Sequence, residues 1–160
     1  MLMCGNITVI VDLHKTLPKP MFLNQDELTV NKAQMAKLQL DAAIVAYFEK
    51  RLVVSITLAG AAEEIFGAML KRDCIQNAVE KIASLPPLLA MFDKPEDRIK
   101  FLNNIRNNLK HASDELEDGF TIAELDAFFM IARALGNSEL LNIEDTLAMK
   151  AFRSIYTSKL

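Results

Sequence analysis

Asn31-Lys32-Ala33-Gln34-Met35-Ala36-Lys37-Leu38-Gln39-Leu40-Asp41-Ala42-Ala43-Ile44-Val45-Ala46-Tyr47-Phe48 is the stretch that decides the fold class. Asn31 is a strong helix-capping residue, because its side-chain oxygen can accept from the orphan N–H groups of a first turn. Behind it, Met35, Leu38, Ala42, Val45 and Phe48 recur every three or four residues. That is the period of an amphipathic helix, and it predicts one over residues 31–51 with this stripe facing inward.

The helical period continues to the end of the chain. A second helix over 55–72 is dense in small residues, among them Ala59, Gly60, Ala61, Ala62, Gly67 and Ala68. Gly60 and Gly67 each cost about 1 kcal/mol relative to Ala inside a helix, which close approach of a neighbouring helix explains. A shorter helix over 77–84 is stopped by Pro86-Pro87. Asp93-Lys94-Pro95-Glu96 then reads as a start, with Asp at the cap, Pro in the first turn and Glu three residues on. The helix that follows turns Ile99, Leu102, Ile105 and Leu109 inward and ends near His111.

Thr121 and Glu124 have the spacing of a capping box, and Phe120 and Leu125 that of a hydrophobic staple. Their helix runs to Leu135, with Gly136 as its C-terminal cap. Asn142 caps a last helix reaching Tyr156, with Ile143, Leu147, Ala151, Phe152 and Ile155 inward. The sum is an all-α, up-and-down helical bundle of five to six helices over residues 31–160. Residues 1–30 form a separate extended N-terminal segment. Within it, residues 7–13 are rich in β-branched side chains and predict a short strand, which needs a pairing partner such as the same segment of a second subunit. Pro18 and Pro20 prevent its regular continuation.

Bulk composition narrows the function classes. A chain of 160 residues, 51% hydrophobic and 24% charged, is one globular domain and not a disordered segment. Two cysteines, Cys4 and Cys74, argue against a disulfide framework and a Cys-built zinc site, and for a reducing compartment. Two histidines, His14 and His111, are too few for a histidine-built metal site, so neither a metal nor another cofactor is expected. The start, Met1-Leu2-Met3-Cys4, lacks the basic region of a signal peptide, and Asp12 and His14 interrupt the apolar run that follows. No segment approaches about 18 uncharged apolar residues. A cytoplasmic protein without a membrane segment is expected.

A net charge of −3 weighs against wholesale nucleic-acid coating, but the charge is segregated. Arg98, Lys100, Arg106 and Lys110 stand in a stretch without acids, while Asp114, Glu115, Glu117 and Asp118 follow closely. Near the end of the basic helix lies Arg106-Asn107-Asn108-Leu109-Lys110-His111. An arginine can fix a phosphate with its planar fork, and a histidine with a pKa near 6.5 can serve as a base near neutrality. Asn103, Asn107 and His111 share one helix face at four-residue spacing. Arg106 and His111 stand about 140° apart around an ideal helix. A bend or fraying at His111, or a second subunit, is therefore needed to bring both to one phosphate.

This pattern resembles the HEPN superfamily, small all-α domains with an Arg, often followed by a polar residue, and a His a few residues on. Arg106, Asn107 and His111 match it with four residues between Arg and His. Ala61-Ala62-Glu63-Glu64-Ile65 resembles the family's early helix, which carries small residues and an acid, and the general likeness covers residues 31–157. The resemblance implies a metal-independent endoribonuclease acting as a homodimer, of toxin or defence type, with an antitoxin or nucleotidyltransferase partner. It implies catalytic roles for Arg106, His111 and Asn107, and substrate contacts for Lys110 and Asn103. RNA would be cut through its 2′-hydroxyl, with His111 as general base and Arg106 stabilising the transition state, and DNA would survive.

The residues admit two further readings. In a non-catalytic helical interaction or scaffold module, Arg106 pairs with Glu63 or Glu64 at a helix seam. His111 there only favours the negative end of its helix. In a small-ligand or nucleotide-binding bundle, a closed apolar pocket would lie near Gly60 and Gly67.

Overall fold

Two asparagines start helices as their side-chain chemistry predicts. Asn31 Oδ1 accepts from the backbone N–H of Ala33 at 2.8 Å and of Gln34 at 3.4 Å. Asn77 Oδ1 accepts from Glu80 N–H at 3.0 Å, and the Glu80 carboxylate accepts in return from Asn77 N–H at 3.2 Å, a complete capping box. The computed structural model describes residues 29–110 and 119–157. Over these the protein is an all-α bundle of eight helices: α1 (Lys32–Phe48), α2 (Leu52–Arg72), α3 (Ala78–Ala83), α4 (Pro86–Met91), α5 (Pro95–Leu102), α6 (Asn104–Lys110), α7 (Glu124–Leu140) and α8 (Leu147–Thr157). The strand expected over 7–13 lies outside the described residues.

The three long helices α1, α2 and α7 end alike. The N–H groups of Lys50 and Arg51 close back on the carbonyls of Tyr47 and Ala46, at 3.0 and 2.8 Å. Cys74 and Ile75 repeat this on Lys71 and Leu70, and Asn142 and Ile143 on Glu139 and Ser138. This is the Schellman closure, which needs a left-handed residue just past the helix. Lys50, Cys74 and Asn142 supply it at φ 60°, 57° and 54°. Asn142 therefore terminates α7, and the start of α8 falls to Thr146, whose hydroxyl accepts from Met149 N–H at 3.2 Å. Gly136, expected as a cap, lies inside α7, where a Cβ would meet Ala78 Cβ at an ordinary 3.8 Å.

Other expectations shift for identifiable reasons. Pro86 and Pro87 open α4 as well as ending α3, since a first helical turn has no use for their missing N–H groups. Lys94, not Asp93, is the residue before α5. The Thr121–Glu124 box does not form. Glu124 instead accepts from the Tyr47 hydroxyl at 3.0 Å and from Lys50 Nζ at 2.7 Å, while Asp126 reaches back to Ala123 N–H at 2.8 Å. Phe120 and Leu125, the expected staple, are 41% and 59% exposed.

The apolar stripe assigned to α1 is corrected most sharply. Ala36, Leu40, Ala43, Ile44 and Tyr47 are the buried residues, whereas Leu38 is 66% and Val45 45% exposed. α1 is apolar on two faces, so period alone does not say which one meets the core. In α8, Met149 and Phe152 are fully buried, and Leu147, expected inward, is the most exposed large apolar residue among those described, at 86%.

α2 is the central element. It packs against α1 on one side, α7 on another and α6 beyond, and buries Ile56, Phe66 and Leu70 completely. At one end of the core the rings of Tyr47, Phe128 and Phe152 cluster, with centroids 5.5 Å apart for Tyr47–Phe152 and 5.1 Å for Phe128–Phe152. By length and composition α2 is apolar enough to cross a membrane, yet 44% of that window is buried within the bundle.

Two outcomes follow for stability. A non-glycine residue in the left-handed region costs about 1–2 kcal/mol, so Cys74→Gly should raise the unfolding free energy by roughly 1 kcal/mol and Cys74→Val should lower it, read from urea midpoints. Burial, then the hydrogen bond and charge of Glu124, holds the Tyr47 phenol above its ordinary value of 10.0. The unfolded chain releases that proton first, so this contribution is present below pH 10.0 and is lost as pH rises beyond it. Tyr47→Phe should flatten the fall of the urea midpoint above that pH.

Candidate functional site

The helix expected to run unbroken from Pro95 to His111 is two helices, and the break explains the site. Arg133, on the buried face of α7, inserts its guanidinium at the junction. It donates from one terminal nitrogen to the Leu102 carbonyl at 2.9 Å and from the other to Asn103 Oδ1 at 2.7 Å. A side chain entering the backbone ladder is a recognised cause of a helix kink. α6 restarts one residue later, with Asn107 N–H donating to the Asn103 carbonyl at 2.9 Å.

The same Arg133 meets Glu63 of α2 at 3.2 Å, and Glu63 meets Arg106 of α6 at 3.3 Å through its other oxygen. Arg106 also lies 3.7 Å from Glu64. The side chains of Glu63 and Arg133 are 4% and 5% exposed, that of Arg106 14% and that of Glu64 61%. Glu63 is thus a buried anion shared by two cations. Burial pushes the Arg133 guanidinium below its ordinary value, Glu63 works against that shift and Arg106 adds to it. The guanidinium stays charged across the ordinary pH range.

Small residues make this geometry possible. A Cβ on Gly60 would stand 2.7 Å from Arg106 Cδ and 3.1 Å from its Cγ, so only glycine lets the Arg106 stem cross α2 one turn before Glu63. Gly67 is not required in this way, since its Cβ would lie at ordinary contact distance, 3.4 Å from Asn77 Nδ2 and 3.5 Å from Asn137 Nδ2. Asn137 ties three elements together: it donates to the Glu63 carbonyl at 3.2 Å and accepts from Ala78 N–H at 2.7 Å. Gly60 and Gly67 therefore face packed side chains rather than a ligand cavity.

Of the residues expected to act together, Arg106 is placed against Glu63 and Glu64, as the helix-seam alternative anticipated. Asn103 is bound to Arg133 and half-buried, Asn107 is half-buried in the first turns of α6, and Lys110 ends α6. His111 lies outside the described residues. The break at Asn103 precedes Arg106, so Arg106 and Lys110 belong to one uninterrupted helix. No group of three or more His, Cys, Asp or Glu among the described residues is placed to hold a metal ion.

Arg133 and Asn137 are the residues that sequence reasoning missed. Their signal was present: both stand on the buried stripe of α7, three and seven residues beyond Met130, where an apolar side chain belongs. A cation and an amide at core positions demand partners elsewhere in the chain.

Removing one member of a buried ion group leaves another charge unpaired, which costs about 3–5 kcal/mol. Glu63→Gln should lower the unfolding free energy by that amount, while Glu64→Gln, at an exposed position, should change it by less than about 1 kcal/mol. Gly60→Ala should cost about 1–3 kcal/mol by displacing Arg106, and most of this should vanish in an Arg106→Ala background. A double-mutant cycle by urea unfolding reads the coupling.

No protein-family model, curated protein or solved structure matches the chain.

Proposed function

We propose that this chain is a non-catalytic helical interaction module in which Arg106 is a structural strut. The observation that carries the reading is the state of the Arg106 guanidinium. It is 14% exposed and paired with Glu63 and Glu64 at 3.3 and 3.7 Å. A cation that is to grip a phosphate needs an open face and no competing anion. Here a phosphate would have to displace Arg106 from a buried carboxylate and approach past the exposed Glu64, whose charge repels it. Asn103, expected to contact substrate, already spends its carbonyl oxygen on Arg133 at 2.7 Å.

What remains available to a partner, besides shallow grooves such as the one between Lys32 and Ala68, is surface. Leu38, Val45, Val54, Met91, Phe101 and Phe129 are each 40% or more exposed. Leu38 and Val45, seven residues apart, share one face of α1, and a contiguous apolar patch is the usual mark of a surface that meets another protein.

The competing reading is the metal-independent endoribonuclease, with RNA as substrate and an antitoxin or nucleotidyltransferase as partner. A mixed RNA pool incubated in EDTA with wild type and with His111→Ala separates the two. The module reading expects neither protein to cleave above background. Cleavage by wild type with 2′,3′-cyclic phosphate ends, lost in His111→Ala, would overturn it and assign His111 as the base.

A further inference from the structure

α1 leaves a groove open on the side of α8. Thr146, the residue before α8, donates its hydroxyl to Asp41 Oδ1 of α1 at 2.5 Å. This bond ties the start of α8 to the middle of α1, and a groove of about 400 Å³ lies beside it. Its walls include Thr29, Val30, Lys37, Leu38, Asp41 and Thr146. Leu38 is 66% and Val30 42% exposed. Two large apolar side chains thus meet water on one concave surface, an arrangement that favours an occupant.

Where the chain enters α1 decides that occupant. Thr29 and Val30, the two residues before the Asn31 cap, are themselves part of the groove wall. The chain that precedes them therefore meets the body of the protein at this groove. Going back along the sequence, the first run of large apolar residues is Met21-Phe22-Leu23. Residues 24–28 separate it from Thr29. An extended chain of that length spans up to about 20 Å, whereas Leu38 stands only about 10 Å beyond the start of α1. The apolar run reaches Leu38 with chain to spare.

Charge points the same way. Asp26 and Glu27, in the connecting stretch, bring negative charge to a wall whose basic residue is Lys37. Asp41, the acid of that wall, is already held by the Thr146 hydroxyl. Tethering then favours this segment over any free molecule. A short link holds it at an effective concentration in the millimolar range. A contact too weak to capture a separate molecule at micromolar concentration is still populated within one chain.

We propose that Met21-Phe22-Leu23 of the same chain folds back into this groove and covers Leu38. The inference rests on the interaction-module reading in one respect: a partner that uses Leu38 must first displace the segment, so the contact is autoinhibitory.

The protein contains no tryptophan, so Phe22→Trp gives the full chain a single reporter in the segment itself. Its emission should lie to the blue of that in the urea-unfolded chain, and acrylamide should quench it several-fold less. Both values should be the same from about 1 to 100 μM protein, as an intramolecular contact requires. Adding Leu38→Asp should abolish the blue shift and the shielding with the helical spectrum unchanged, because Leu38 is mostly exposed. Adding Lys37→Glu should weaken the shielding, and Leu89→Asp, at an exposed position of α4, should leave it unchanged. The same series with Leu23→Trp guards against a misfit of the larger ring at position 22.

Reporters as solvated as the unfolded chain at both positions, or shielding that survives Leu38→Asp, would overturn the proposal. So would shielding that develops only as concentration rises, which would make a second copy the occupant. RNA cleavage would remove the module reading and with it the autoinhibition, but not the contact that the reporter detects.

Discussion

One buried carboxylate organises this protein. Glu63 sits at the middle of α2, the helix around which the others pack, and its two oxygens hold Arg133 of α7 and Arg106 of α6. Removing a carboxylate from water costs several kcal/mol unless partners with good geometry replace the lost hydration. Three helices are therefore obliged to converge at one level. The two cations outnumber the one buried anion, and the exposed Glu64 beside Arg106 makes up the difference.

Several features that look unrelated follow from that obligation. Arg133 reaches Glu63 only by passing the junction of α5 and α6, where it takes the Leu102 carbonyl and the Asn103 side chain for itself. The kink in the basic helix is thus the footprint of a distant residue. Gly60 is small because the Arg106 stem lies across it. Asn137, one turn beyond Arg133, anchors the Glu63 backbone and the first turn of α3 together. The amides and the ions form one polar seam through an otherwise apolar core.

The helical class was legible from period and capping alone, because Asn31 and Asn77 act locally and nothing farther away competes for them. Glu124 is the counterexample. Its spacing to Thr121 suits a capping box, but Tyr47 and Lys50, 77 and 74 residues away in sequence, claim it. The inward face of α1 could not be chosen, since both its faces are apolar and burial is decided by what α7 and α8 bring. The pairing of Arg106 with the Glu63–Glu64 pair was foreseeable as a seam between helices. Arg133 was not, because a lone cation on an apolar stripe names a need for a partner without naming the partner.

The order in which the chain leaves the ribosome gives the Glu63 seam a further meaning. The α1–α2 hairpin is local and can close early, yet the Asn137 contact to Glu63 spans 74 residues. Until α7 has been synthesised, Glu63 has Arg106 but no Arg133, and a half-satisfied charge sits in α2. That charge opposes both premature collapse onto α2 and partition of this span-length helix into lipid. Core closure is thereby deferred to a late, long-range event, the kind of step that slows folding and lengthens the time a nascent chain depends on protection from aggregation.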